Sequence, residues 1–150
     1  MVRLTLLLTA LALLPATPAA FAADAKQVED NKKTIAAFYD AVLNQKDFDK
    51  ASQYLGSRYT QHNPIAADGP EGLKSFVAFL KDKFPNNHSE IKRIFADGDY
   101  VIVHVHAVRE PGTRGNAIVD IFKLENGKVV EHWDAVQPIP EKSANNNGMF

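Results

Sequence analysis

The spacing of apolar residues switches once along this chain, and that switch restricts the fold more than any other feature. In the first half the spacing is helical. Ile35, Phe38, Tyr39, Val42 and Leu43 fall at i, i+3, i+4, i+7 and i+8, while Lys32, Lys33, Asp40 and Gln45 take the other side, which predicts a helix from Ala25 to about Asn44. A second, shorter helix is expected from Asp47 to Leu55, stopped by Gly56 in the left-handed conformation that suits a helix end. Tyr59 to His62 reads as a short extended segment, and Asn63-Pro64 ends it because a residue before proline is pushed out of helical geometry. Leu73, Phe76, Val77 and Leu80 make a third stripe, opened by Asp68-Gly69-Pro70 and closed before Pro85. After Asn86-Asn87 the pattern becomes alternating or continuously apolar, over about His88 to Ala96, Tyr100 to Arg109, Asn116 to Glu125 and Lys128 to Gln137. Asp97-Gly98 and Asn126-Gly127 between these runs are hairpin signals. Three helices followed by a strand meander predict an α+β fold with the helices laid on one face of a curved antiparallel sheet.

The ends and the composition narrow the setting. Met1-Val2-Arg3, the apolar stretch from Leu4 to Leu14, the breakers Pro15 and Pro18, and the small residues of Ala20-Phe21-Ala22 have the three parts of a secretory signal peptide. The apolar stretch is shorter than the ~20 residues a spanning helix needs. Residues 1–22 are therefore expected to be a signal peptide, residues 23–138 one domain and residues 139–150 a polar tail, with export to the periplasm or medium. Met149-Phe150 is the part of the tail suited to docking on an apolar surface. The chain has no cysteine, so packing rather than disulfides must hold it together. Its formal charge of −1 offers no basic field for phosphate backbones or anionic lipid, which argues against a nucleic-acid or membrane partner.

Asp120 carries the strongest chemical signal. It is the only charge in Asn116-Ala117-Ile118-Val119-Asp120-Ile121-Phe122, and a carboxylate there loses water on folding unless a polar cavity receives it. Alternation puts His104 and His106 on one side of their strand and Asn116, Ile118, Asp120, Phe122 and Leu124 on one side of the next, so two histidines and an aspartate can share a face. Whether that face is the concave or the outer one, alternation leaves open. An imidazole beside a buried carboxylate can move a proton at neutral pH; a satisfied His–Asp pair that only specifies the sheet is the structural alternative. His62, at a turn before the third helix, is a further proton-handling candidate. Tyr39, Asn63, Phe122, Trp133 and Asp134 are the expected ligand contacts, although Trp133 and Asp134 point to opposite faces unless a bulge intervenes. His104-x-His106 also has spacing for a metal ion, but no further spaced ligand set supports one. A thiol, a Gly-x-Ser-x-Gly elbow and the glycine loops of nucleotide binders are all missing from the sequence, so covalent catalysis and nucleotide cofactors lose support.

Tyr59-Thr60-Gln61-His62-Asn63-Pro64, Val119-Asp120-Ile121-Phe122-Lys123 and Asn126 to Asp134 resemble the SnoaL-like polyketide cyclases of the nuclear transport factor 2-like superfamily. The resemblance implies a cone of three helices against a strongly bent sheet, a small apolar carbonyl compound as ligand, no cofactor, and a homodimer through the outer sheet face. It also implies that Asp120 acts as acid and base in an aldol-type or isomerising reaction, with His104 or His106 and His62 polarising a carbonyl. The cone also hosts non-catalytic ligand-binding and dimerising modules, because a fold does not fix a chemistry.

Overall fold

The computed structural model describes residues 18–150, with side chains from residue 25 onward. Most of the expected signal peptide lies outside the described residues. Helix α1 (Pro18–Tyr39) runs into a wide π-helical turn, Asp40–Gln45, so the predicted first helix forms in two pieces. Lys46, in the left-handed region at φ 53°, ends the turn. Helix α2 (Phe48–Ser52) starts where the Asp47 side chain accepts a hydrogen bond from the Lys50 amide at 3.0 Å.

Helix α2 is shorter than expected, because Leu55 and Gly56 belong to strand β1 (Leu55–Gln61). Gly56 therefore ends no helix. A Cβ there would sit 2.7 Å from Cγ1 of Val130, so the glycine is required by the close approach of β1 to its neighbour. Helix α3 (Gly69–Lys83) follows. Before it, Asp68 turns its carboxylate back to the Gln61 amide at 2.8 Å, tying the end of β1 to the start of the helix.

Strands β2 (His88–Asp97), β3 (Tyr100–Val108), β4 (Asn116–Glu125) and β5 (Lys128–Pro138) form the antiparallel meander that the alternation predicts. Asn126 and Gly127 both have positive φ, as a two-residue hairpin loop of matching twist requires. The sheet order is β1-β5-β4-β3-β2, with β1 parallel to β5, so the sheet is mixed rather than purely antiparallel. The fold is α+β, three helices on a curled five-stranded sheet that does not close.

Register decides which side chains meet. Val103 lies opposite Asp120, which lies opposite Asp134, and Val101, Phe122 and His132 make the next row. These rows face inward with Val105 and Leu124, and Ile35, Phe38, Tyr39 and Val42 from the first helical segment pack on them. Burying each large apolar side chain contributes about 1.5–3 kcal/mol before entropy is counted. The outer face carries a second row across four strands, Phe95, Ile102, Ile121 and Trp133. Near it the tail folds back: the Phe150 ring lies 5.1 Å from that of His104 and 4.9 Å from that of His106, with Lys92 Nζ 5.8 Å from its centre.

Candidate active site

The helices and the inner sheet face enclose a cavity of about 740 Å³, within the range of small-molecule sites. Its wall is mainly apolar, with Val42, Leu73, Phe76, Leu80, Ile118 and Phe122 among the lining residues, and polar groups gather on the β4–β5 floor. Asp120 is only 5% exposed. Its Oδ1 is 3.0 Å from His132 Nε2, and its Oδ2 accepts a hydrogen bond from the Tyr39 hydroxyl at 3.0 Å. Burial pushes the Asp120 pKa up, the bonds from His132 and Tyr39 oppose that, and the nearby Asp134 charge adds to it. The Tyr39 hydroxyl is held well above its ordinary range, first by burial and then by Asp120, so it stays protonated and donates.

The hydrogen-bond chain fixes where protons sit. Gln61 Oε1 accepts from the Asn63 amide at 2.9 Å, which sets the orientation of its side-chain amide. His132 Nδ1 lies 2.9 Å from that same oxygen and must therefore donate to it. With Nδ1 carrying the neutral ring's hydrogen, the contact between Nε2 and Asp120 Oδ1 needs one more proton between them. Without it, two lone pairs would face each other in a buried site. The pair is thus a store of one proton, with net charge near zero. Beside it, Asp134 receives both hydrogen bonds of the Asn63 side-chain nitrogen, at 2.8 and 2.7 Å, and no cation pairs with it among the described residues.

Asp120, His132 and Asp134 also present donor atoms within 4.8 Å of one another, the spacing of a metal site. Each of these residues already has hydrogen-bond partners, and an ion would have to break the Asp120–His132 contact. The chemistry of the set fits proton transfer more directly than metal binding.

Among the expected residues, Tyr39, Asn63, Phe122, Asp120 and Asp134 line this cavity. His104 and His106 do not. They alternate with the buried Val103, Val105 and Ala107 and pair with Val119 and Ala117, so they lie on the outer face, opposite to Asp120. There His104 contacts Arg93 at 3.1 Å, and His106 contacts the Arg114 carbonyl at 2.8 Å. His62 is also outside the cavity; its ring stacks on Trp133 at 4.5 Å and meets Glu131 at 3.3 Å. Trp133 is consequently an outer-face residue while Asp134 faces inward, the separation that alternation anticipates.

A SnoaL-like domain model matches residues 35–132, which hold most of the cavity floor and its helical lid. The chain belongs to the SnoaL-like family. Among solved structures, the SnoaL-like chain is similar to a polyketide cyclase candidate from Bacillus cereus, at 22% identity and a TM-score of 0.62, covering 71% of this chain and 74% of that one. A SnoaL-like polyketide cyclase candidate from Jannaschia gives 20% identity and 0.59, covering 73% and 87%. A cystatin-fold protein from Novosphingobium aromaticivorans gives 25% and 0.62, covering 70% and 97%. No curated protein matches the sequence significantly.

The SnoaL-like site also contains groups that sequence reasoning did not select: His132, Gln61 and the cavity-lining Arg109. His132 was legible only in part: alternation counted from the Asn126-Gly127 hairpin puts it on the outer face opposite Ile121, and the extra residue on β5 at the irregularity between Lys123 and Leu124 turns it inward, onto the face of Phe122 and Asp120.

Proposed function

We propose that this SnoaL-like domain binds a small, largely apolar carbonyl compound in its cone and performs cofactor-independent acid–base chemistry on it. The observation that carries this reading is the buried contact between Asp120 and His132, beside the Asp134 carboxylate, which has no cationic partner among the described residues. The resemblance makes Asp120 the base; its hydrogen bonding favours the donor role instead. Asp134 takes the proton from a carbon next to the carbonyl, the C–H electron pair becomes the enol double bond, and the carbonyl oxygen takes the proton stored by Asp120 and His132. Where a carbon–carbon double bond is conjugated with the enol, returning the Asp134 proton to its far carbon shifts that double bond and completes an isomerisation, with the enol proton restored to the pair. In an aldol-type closure the enol carbon instead attacks a second carbonyl, whose oxygen takes the proton from Asp134 while the enol O–H proton returns to the pair. Each positioned acid or base of this kind contributes typically 10²–10⁴-fold.

The test uses β-tetralone, an apolar ketone with acidic C–H groups, in deuterated buffer. Wild-type protein is expected to accelerate deuterium uptake next to the carbonyl, and Asp134→Asn and Asp120→Asn to lose that acceleration. Equal uptake in wild type and Asp134→Asn removes the proposed base. The second reading, a non-catalytic ligand-binding module, draws support from the fact that the floor's polar groups already satisfy one another.

Two further parts of the proposal concern setting. The partly exposed row of Phe95, Ile102, Ile121 and Trp133 supports a homodimer through the outer face. The pattern over residues 1–22 supports export, and amino-terminal sequencing of secreted or periplasmic protein should begin at Ala23.

A further inference from the structure

Arg109 is the one lysine or arginine among the residues lining the cavity, and the floor chemistry leaves it unused. It follows β3 directly, and its guanidinium carbon lies 5.9 Å from the centre of the Phe76 ring and 5.5 Å from that of Phe84. Both rings lie within reach of a cation–π contact with the guanidinium, whose N–H groups make no hydrogen bond among the described residues. Among the described residues, Arg109 has no ion-pair partner. Asp134, the unpaired anion, lies on the floor instead. The cavity therefore has a cationic group just past the end of β3 and an anionic group on β5, with a neutral proton-bearing pair beside the anion.

We propose that Arg109 is a binding subsite for a ligand carboxylate, so that the cavity takes an amphipathic carboxylic acid whose carbonyl end reaches Asp120 and His132. This deepens the preceding proposal by naming the substrate class, and it rests on ligand binding in the cone. Two forces set the direction of entry. The ligand's carboxylate is repelled by Asp134 and attracted by Arg109, so the reactive carbonyl end turns to the floor. A flat guanidinium edge matches a carboxylate through two parallel hydrogen bonds, which an ammonium does not reproduce. Arg109→Lys is accordingly expected to lose most of the effect, although it keeps the charge.

Three fluorescent probes of one size separate the alternatives: naphthylacetate, its methyl ester, and naphthylethylamine, each titrated against the full chain. Wild type is expected to bind the acid at least about tenfold more tightly than the ester, equivalent to 1.4 kcal/mol. In Arg109→Gln, acid and ester should bind alike, with ester affinity unchanged from wild type. Because Arg109 is exposed, this variant is expected to fold, and an unchanged circular dichroism spectrum checks it. Equal binding of acid and ester by wild type, or an acid preference that survives in Arg109→Gln, overturns the subsite while leaving the ligand cavity standing. Tighter binding of the amine also overturns it, because Asp134 would then dominate the orientation. If no probe binds, the cavity reading fails and the carboxylate subsite fails with it.

Discussion

Asn at position 120 has the shape of a protonated aspartate: its nitrogen can donate to His132 Nε2 and its oxygen can accept from Tyr39. Asp120→Asn should therefore fold normally yet lose proton transfer by about 10²–10⁴-fold, measured as exchange on β-tetralone. The same substitution tests the pH dependence of stability. The folded-state pKa of Asp120 is raised above its ordinary value of 3.8, so the folded protein binds the proton more tightly than the unfolded chain. Its stabilising contribution is present below that ordinary value and is lost as pH rises through the raised one. Asp120→Asn should flatten that decline, whereas Asp120→Ala should cost about 1–3 kcal/mol for each of the two partners it orphans, by urea denaturation at one pH. Gln61→Leu removes the acceptor that fixes His132, and imidazole nitrogen shifts should then report Nδ1 losing its exclusive hold on the ring proton. The carboxylate itself was legible because a lone charge in an apolar strand must have a reason. Its histidine partner was misassigned because His104 and His106 lie on the neighbouring strand with the same apparent period. The uninterrupted apolar set Val101, Val103, Val105 and Ala107 was the signal that the other parity faces inward.

At the level of elements, the helices and the four-strand meander followed directly from periodicity and turn residues, with boundaries displaced by a few positions except at the start of α1, which begins at Pro18 rather than Ala25. The exception is β1. Its end, Tyr59 to Gln61, reads as extended, but nothing local in Leu55 to Arg58 announces a strand, because its edge position and its parallel partner β5 are tertiary facts. Gly56 looked like a helix stop for the same reason: sequence shows that a glycine is needed, but not whether a backbone angle or a crowding neighbour needs it. Gly56→Ala is expected to destabilise by about 1–3 kcal/mol through overpacking against Val130. Pairing it with Val130→Ala should recover part of the loss, and a double-mutant comparison in urea measures how much. If Gly56→Ala alone leaves the midpoint unchanged, the strand has room to move and the steric account of this glycine is wrong.

For the molecule as a whole, the two sheet faces divide the tasks. The inner face builds the cavity, and the outer face carries the apolar row on which the proposed homodimer rests. Ile121→Lys places a charge in the middle of that row while its neighbours Asp120 and Phe122 keep pointing inward. It should convert a dimer to a monomer in sedimentation experiments; a wild-type chain that sediments as a monomer at high concentration would remove the assembly proposal. No helix among the described residues is long and apolar enough to cross a membrane. The seat of Phe150 against His104 and His106 has a practical use of its own. Its aromatic ring current should displace the proton resonances of both imidazoles, giving a spectroscopic gauge of tail attachment on the side of the sheet away from the cavity. Loss of that displacement on removing Phe150, with the His132 resonance unmoved, would show the chain end and the cavity floor to be independent of each other.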